Sequence, residues 1–257
     1  MSIHEIRQNR ERPAVGLAVI SCAVLELEVE HFVKELGQPV HLVNLPQGLH
    51  SEPEKLRREL QVAIDQVEAM PHVQNIALAY GLCSRGVEGV RARRCRLAIP
   101  RAHDCITILL GDRERYSKYV QLNPGTYWYS PGWNKHHIPP GKERYEKLLQ
   151  EYTEKYGAEN AEYLMETEQH WFGTYNRATY VDLGVGATEA DLKYTHECAQ
   201  WLEWTFDRQH GDPGLLKALV AGDWDERRFL VLEPGQTIRM TADGRIIEAV
   251  AAEEATS

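Results

Sequence analysis

The first 110 residues alternate short apolar runs with amphipathic segments, which is the pattern of an open α/β sheet. VGLAVIS (15–21), NIALAY (75–80) and RLAIP (96–100) are continuous apolar runs with β-branched members, as expected of strands covered on both faces. PVHLV (39–43) predicts a fourth strand. We therefore predict an open, mainly parallel sheet with helices on both faces.

Two amphipathic segments fit between these strands. In AVLELEVEHFVKELG, apolar residues recur at steps of three and four, and Gly37 is suited to end the helix. SEPEKLRRELQVAIDQVEAM predicts the next helix, with Ser51 as its N-cap and Pro53 in its first turn.

The pattern changes after Gly111, where a second half rich in helices and short strands is expected. NPGTYWYSPGWN predicts an aromatic loop, and the segments from GKERYEKLLQEYTEKYG to about Trp171 predict two helices. ATYVDLG predicts a strand, TEADLKYTHECAQWLEWTFDRQHG a long amphipathic segment, and FLVLEPGQTIRM two strands joined by a turn.

We expect one α/β domain over residues 1–257. Within it, residues 14–111 would form the sheet core, residues 112–250 a packed second half, and residues 251–257 a frayed tail.

Composition narrows the class of protein. Hydrophobic residues make up 43% of the chain and charged residues 26%, and no apolar run approaches the roughly 20 residues that span a bilayer. The N-terminus has no pattern of a secretory signal, so a soluble cytoplasmic protein is expected. A net charge of −9 argues against nucleic acid as a partner, although RARRCR (91–96) is locally basic.

The five cysteines are too few and too irregularly spaced for a disulfide framework. Three of them follow predicted strands: Cys22, Cys83 and Cys105. Because ligands bind beyond the carboxyl ends of parallel strands, these thiols could converge on one site. Each could instead be a buried core residue, which is how we interpret Cys95 and Cys198.

The residue types at this edge indicate a metal. Thiolates suit zinc, cuprous copper and iron–sulfur clusters, and His103 lies two positions before Cys105, where it could bind or orient the metal site. Two cofactors remain open: zinc with a free position for substrate, or a [4Fe–4S] cluster held by three cysteines with one iron open to substrate.

Further residues could serve the same site. We expect His50, Tyr80 and Arg101 to handle protons and substrate charge. Further contacts with the cofactor or substrate are expected from Glu26, Arg85 and Tyr127. Each has a plainer alternative. His50 could bond to its own turn, Tyr80 could fill the core, and Glu26 could face solvent. Arg85 and Arg101 could form salt bridges, and Tyr127 could pack the second half onto the sheet.

The motifs C22…LH50…YGLC…PRAHDC…GTYWYSPGW, with YVDLG and GDWDERRFLVLEPG, resemble a domain-of-unknown-function family of methanogenic archaea and diverse bacteria. The similarity extends from about residue 15 to 240. Members are often encoded near corrinoid-dependent methyltransferase systems. Methyl-transferring relatives in those systems use zinc bound through a His-x-Cys pair and a further cysteine to activate a thiol.

The resemblance implies that His103 and Cys105 form such a pair, with Cys22 or Cys83 as the third ligand. The chain is short for the barrel fold of those transferases, so the resemblance does not establish the reaction. Three hypotheses follow. The protein is a metalloenzyme that activates a small substrate for methyl or one-carbon transfer, an iron–sulfur lyase or dehydratase, or a non-enzymatic accessory protein for a metal or a corrinoid protein.

Overall fold

The computed structural model describes residues 16–252, without the side chains at positions 169 and 171. Its strands are β1 (Leu17–Cys22), β2 (His41–Leu45), β3 (Asn75–Ala79), β4 (Arg96–Pro100), β5 (Thr126–Tyr129), β6 (Arg177–Asp182), β7 (Thr205–His210), β8 (Phe229–Leu232), β9 (Gln236–Met240) and β10 (Ile247–Ala251).

Its α-helices are α1 (Glu26–Leu36), α2 (Pro53–Glu68), α3 (Cys105–Leu110), α4 (Arg113–Leu122), α5 (Pro131–His136), α6 (Lys142–Tyr156), α7 (Ala158–Phe172), α8 (Glu189–Trp201) and α9 (Gly214–Ala221). Short 3₁₀ turns at Ala23–Leu25 and Gln47–Ser51 precede α1 and α2.

The main sheet has the strand order β2-β1-β3-β4-β8. The first four strands are parallel, and β8 pairs antiparallel with β4 at the edge. Along β1, Ala18 and Ile20 face the core under α2, whereas Val19 faces the core under α1 and α9. This alternation confirms the predicted mainly parallel α/β sheet with helices on both faces.

The predicted helix ends are partly confirmed. Gly37 ends α1 in the left-handed region at φ 62°, and Pro53 occupies the first turn of α2. Ser51 was expected to cap α2, but it belongs to the preceding 3₁₀ turn, and Glu52 holds the cap position without a side-chain hydrogen bond.

The second half is more regular than its sequence indicates. The segment expected as an aromatic loop contains β5 and the start of α5, and the long amphipathic segment from Thr188 divides into α8 and β7. Parallel strands β5, β6 and β7 form a second sheet in the order β5-β6-β7, while β9 and β10 form an antiparallel hairpin. The two predicted strands β8 and β9 therefore belong to different sheets.

Close backbone contacts join the two halves. A Cβ atom on Gly132 in α5 would lie 1.9 Å from the carbonyl oxygen of Val24, so only glycine allows these segments to pack as they do. The backbone N–H of Asp212 also donates to the carbonyl of Leu109 at 3.0 Å. The organisation as one domain stays a prediction.

Among residues 16–252, no helix has the length and apolar character needed to cross a membrane. Ala251 ends β10, so the first residue of the predicted frayed tail is part of a strand. Two segments lie outside the described residues: residues 253–257 of that tail, and residues 1–15, where no secretory signal is expected.

Candidate functional site

A cavity of about 440 Å³ opens at the carboxyl edge of the main sheet. Segments that follow β1, β2, β3 and β4 all contribute to its walls. The strand order reverses between β1 and β3, which is the point where open α/β sheets leave a crevice for ligands. Seven residues singled out from the sequence line it: Cys22, His50, Tyr80, Cys83, His103, Cys105 and Tyr127.

The three thiols are unpaired cysteines and lie close enough to influence one another. Cys22 ends β1 and is 8% exposed, while Cys83 and Cys105 are half-buried. Burial, together with the neighbouring Cys22 and Asp104, raises the pKa of Cys83 to about 12. Burial likewise raises the pKa of Cys22 and, together with Asp104 and the other two thiols, the pKa of Cys105. At neutral pH these thiols are therefore protonated unless a cation joins them.

A left-handed turn presents Cys83 to the cavity. Cys83, Ser84 and Arg85 have φ angles of 45°, 54° and 72°, three successive non-glycine residues in a region that L-amino acids rarely occupy. Each such residue costs roughly 1–2 kcal/mol. Strain of this kind is typical of functional sites, where the surrounding structure holds the backbone in place.

The segments that carry Cys83 and Cys105 are fastened to each other. The backbone N–H of Leu82 donates to Ala102 at 2.8 Å, and that of Cys83 donates to His103 at 3.0 Å. A Cβ on Gly81 would lie 2.5 Å from the backbone nitrogen of Asp104, in the segment that carries Cys105. Only a glycine at position 81 therefore permits this close approach. The relative position of the two thiols is thus set by backbone hydrogen bonds.

Two predicted proton-handling residues also line the cavity. The Nδ1 atom of His50 donates to the carbonyl of Gln47 at 2.7 Å, because a carbonyl can only accept, and this leaves Nε2 with a lone pair in the neutral ring. The Tyr80 hydroxyl is buried beside the Cys22 thiol without a hydrogen bond of normal geometry. Burial and the neighbouring thiols raise its pKa, so it remains a hydrogen-bond donor at neutral pH.

Aromatic side chains form another part of the cavity wall. Tyr127 and Trp128 come from β5, Trp133 from α5, and Tyr175 from the segment before β6. The Trp133 ring lies 5.6 Å from the His50 ring, and Tyr127 lies 5.3 Å from Tyr175, both measured between centroids. The strand β5 therefore both joins the second sheet and lines the cavity.

Three predicted residues do not line the cavity. Glu26 Oε2 accepts from His136 at 2.7 Å and from Lys135 at 3.2 Å. Burial alone would raise the pKa of Glu26, but these two hydrogen bonds outweigh it and lower the pKa. The side chain is therefore held at the contact between α1 and α5, which is why it is not available as a ligand contact.

The two arginines are also engaged elsewhere. Arg85 forms a salt bridge with Glu88 at 2.6 Å, as its plainer alternative predicted. Arg101 leaves the end of β4 in the other direction and hydrogen-bonds the carbonyl oxygens of Glu226 and Arg245, each at 3.0 Å. Neither arginine lines the cavity that holds the three cysteines, which we call the thiol cavity.

Sequence reasoning missed Tyr175 and Gln47, which complete the walls of the cavity. Tyr175 precedes its strand, at the end where no ligand crevice was expected, so its position gave no signal. Gln47 is 9% exposed and lies in the segment that connects β2 to α2, where His50 had already marked a candidate region. Cys95 and Cys198 are buried in hydrophobic cores away from the cavity.

Within residues 16–252, no group of three or more His, Cys, Asp and Glu side chains is arranged to hold a metal ion. Binding by Cys22, Cys83 and Cys105 would thus require their side chains to adjust. A family model described as a protein of unknown function (DUF1638) matches residues 44–220. No curated protein and no solved structure matches the chain.

Proposed function

The chain belongs to the DUF1638 family of proteins of unknown function, and from that premise we propose that it is a metal-dependent enzyme. The metal would bind among the thiols of the 440 Å³ cavity and activate a small substrate for methyl or one-carbon transfer. One observation carries the proposal. Three cysteines remote in sequence, Cys22, Cys83 and Cys105, line the same cavity at the switch point of the sheet.

The donor set suits a soft cation. Cys22, Cys83 and Cys105 supply sulfur and His103 supplies an imidazole on the exposed side of the cavity. Rotation of three cysteine side chains about their Cα–Cβ bonds is a small adjustment compared with moving the backbone, which hydrogen bonds hold in place. A bound zinc ion would favour the deprotonated form of a substrate thiol or hydroxyl.

The remaining lining residues define roles for the chain itself. His50, with its Nδ1 fixed on Gln47, would accept or return a proton through Nε2. The Tyr80 hydroxyl would donate a hydrogen bond to the substrate, since the buried oxygen has no partner of normal geometry in the described part of the chain. Tyr127 and Trp133 would exclude water and contact the apolar part of the substrate.

The choice of methyl transfer rests on the motifs rather than on the geometry. PRAHDC places His103 and Cys105 at the spacing of the His-x-Cys pair expected for zinc, and the family's proposed link to corrinoid methyltransferase systems suggests a corrinoid protein as methyl donor or acceptor. The reaction would join a methyl group to a thiolate, forming a thioether and releasing the reduced corrinoid. The reverse direction uses the same residues.

A [4Fe–4S] cluster is the second candidate, with lyase or dehydratase chemistry. The observation that favours it is the absence of a fourth cysteine among the residues that line the cavity, because three cysteines leave one iron free for substrate. A zinc protein is colourless, whereas a cluster absorbs broadly near 400 nm. Absorption therefore separates the two candidates.

The test is elemental analysis and an absorption spectrum of protein purified without oxygen. We expect zinc or iron near stoichiometric amounts, lost in Cys105→Ala and retained in Cys198→Ala. Cys198 is a buried cysteine of the second sheet's core, so it controls for the general cost of removing a thiol. Metal-free wild-type protein, or equal metal content in the two variants, would contradict the proposal.

Turnover then separates an enzyme from an accessory protein. Methylcobalamin and a small thiol should react faster with the wild-type protein than with His50→Gln, measured as thioether formed. If the protein instead transfers its metal or a corrinoid to an acceptor protein and shows no turnover, the accessory role replaces the enzymatic one.

A further inference from the structure

A second cavity, of about 540 Å³, lies along β8 at the edge of the main sheet. Five arginines line it: Arg96, Arg101, Arg113, Arg227 and Arg245. Only two carboxylates, Glu226 and Glu233, are among its lining residues. This concentration of positive charge is unusual for a chain whose net charge is −9.

Arg101 is fixed at the inner end of the cluster by backbone oxygens. Its guanidinium donates to the carbonyls of Glu226 and Arg245 at 3.0 Å each, and to the carbonyl of Ile247. Among residues 16–252, no salt bridge includes Arg101. Carbonyl dipoles orient this charge, but they do not neutralise it.

Arg113 contributes a guanidinium with unused hydrogen-bonding capacity. Its Nη1 atom is buried, and the described residues offer it no hydrogen-bond partner. A buried donor without an acceptor costs roughly 1–3 kcal/mol. Burial lowers the pKa of Arg101. The nearby charges of Arg113 and Arg245 lower it further, whereas Glu226 and Asp243 act in the opposite direction.

The rim of the cavity carries the other three arginines. Arg96 pairs with Glu233 at 2.9 Å, and Arg245 pairs with Asp243 at 2.8 Å. Arg227 is exposed and takes part in no salt bridge within the described part of the chain. Arg101, Arg113 and Arg227 are thus three cations around one cavity that no carboxylate neutralises by direct pairing.

We propose that this cavity binds a phosphorylated small molecule. An anion with several oxygens would accept from the unused Nη1 of Arg113 and would relieve the repulsion between Arg113 and Arg101. Guanidinium groups match phosphate oxygens in two-pronged hydrogen bonds, and the volume suits a small ligand. Trp224 supplies an apolar wall, with its indole N–H held by the carbonyl of Leu219 at 2.8 Å.

This site is separate from the thiol cavity and does not depend on the metal. No residue lines both cavities. Anion binding here is therefore independent of the proposed enzymatic function.

Isothermal titration of the full-length protein with inorganic pyrophosphate tests the proposal. We expect saturable binding by the wild-type protein, weakened about tenfold or more in Arg113→Gln, because a hydrogen bond to a charged group contributes that much. Arg113→Lys keeps the positive charge but loses the two-pronged hydrogen bonding of the guanidinium. Its affinity for pyrophosphate should therefore lie between those of the wild type and Arg113→Gln. Arg101 is a poor choice for substitution because it also fastens three backbone carbonyls.

Arg93→Gln is the matched control. Arg93 is an exposed arginine paired with Asp65 at 2.8 Å and does not line the cavity, so its removal changes the net charge equally. Circular dichroism should show that all variants fold. No saturable binding of pyrophosphate, equal binding in Arg113→Gln and the wild type, or equal loss in Arg93→Gln would each overturn the proposal.

Discussion

Asp104 accepts two hydrogen bonds from Thr107, one from its backbone N–H at 2.8 Å and one from its hydroxyl at 2.9 Å. These bonds cap α3, whose first residue is Cys105. The residue between the predicted ligands His103 and Cys105 is therefore a helix cap, and its carboxylate fixes the backbone that presents the third thiol.

Replacing Asp104 should show whether its capping oxygen or its negative charge stabilises the folded chain. Asp104→Ala removes the acceptor, so the free energy of unfolding should fall by about 1 kcal/mol in urea denaturation. Asp104→Asn retains a capping oxygen and should keep most of that stability. If Asp104→Asn is as destabilised as Asp104→Ala, the negative charge rather than the cap is what the site requires.

Glycine substitutions at two serines, one in the left-handed turn beside Cys83 and one in a helix, should change the free energy of unfolding in opposite directions. Ser84 is exposed with φ 54°, so Ser84→Gly should raise the free energy of unfolding by up to about 1 kcal/mol, since glycine occupies this region without steric cost. Ser117 lies within α4, and Ser117→Gly should lower it by roughly 0.5–1 kcal/mol. Chemical denaturation of both variants is the measurement, and equal signs would contradict the strain.

Zinc binding should release protons from the thiols. Burial raises the pKa of Cys83 to about 12, and the pKa values of Cys22 and Cys105 are raised as well, so all three are protonated in metal-free protein at pH 7.5. Coordination requires thiolates, and about three protons should therefore leave on binding. Calorimetry in buffers of different ionisation enthalpy counts them.

The matched comparison uses cysteines inside and outside the cavity. Cys105→Ala should bind no zinc and release no protons, whereas Cys95→Ala should behave like the wild type. Cys95 is buried and immediately precedes β4, at the opposite end of that strand from the cavity. Zinc uptake by the wild type without proton release would exclude the thiols as ligands.

The sequence predicted the main sheet well because its strands are covered on both faces. A buried parallel strand such as β1 needs apolar residues on both faces, which leaves a continuous apolar run that is easy to recognise. Partly exposed strands lack that run. In β7, Thr205 and His210 are exposed, and the strand was hidden in a segment that looked amphipathic.

The candidate cavity could be predicted where it depends on strand ends, and not where it depends on side-chain direction. Cys22, Cys83 and Cys105 follow strands, so topology alone brings them to one edge. Arg101 also follows a strand, yet the carbonyls of Glu226 and Arg245, more than 120 positions away in sequence, direct it to the other cavity. No local pattern contains that information.

The left-handed turn at Cys83 was equally hidden. The close approach of Gly81 to the backbone of Asp104 explains why a glycine stands there. The three left-handed residues are Cys83, Ser84 and Arg85. Their residue types do not predict this conformation, because non-glycine residues adopt it only when long-range contacts require it.

Glu28 of α1 should make stability depend on pH. Its side chain is 0% exposed, and neither carboxylate oxygen has a hydrogen-bond partner in the described residues. Burial, together with the nearby Asp182, raises the pKa of Glu28 to about 7 from 4.5. The folded state therefore holds a proton that the unfolded chain has lost between these two pH values.

The sign follows from linkage. Below pH 4.5, Glu28 is protonated in both the folded and the unfolded state and does not reduce the free energy of unfolding. As the pH rises from 4.5 to the folded-state pKa of about 7, only the unfolded state loses this proton, so the free energy of unfolding falls. Glu28→Gln cannot ionise. Relative to this variant, the wild type should lose up to about 3 kcal/mol in free energy of unfolding between pH 4.5 and pH 8, at about 1.4 kcal/mol per pH unit.

Denaturation in urea at several pH values measures that slope, and Glu35→Gln is its control on the same helix. Glu35 is exposed, and its hydrogen bond with Lys217 lowers its pKa, so this carboxylate stays ionised throughout the window. The Glu35→Gln variant should parallel the wild type from pH 5 to pH 8. Burying an amide at position 28 costs the same at every pH, so this cost does not affect the slope. If the stability of the wild type changes with pH in the same way as that of Glu28→Gln, Glu28 is not protonated in the folded state.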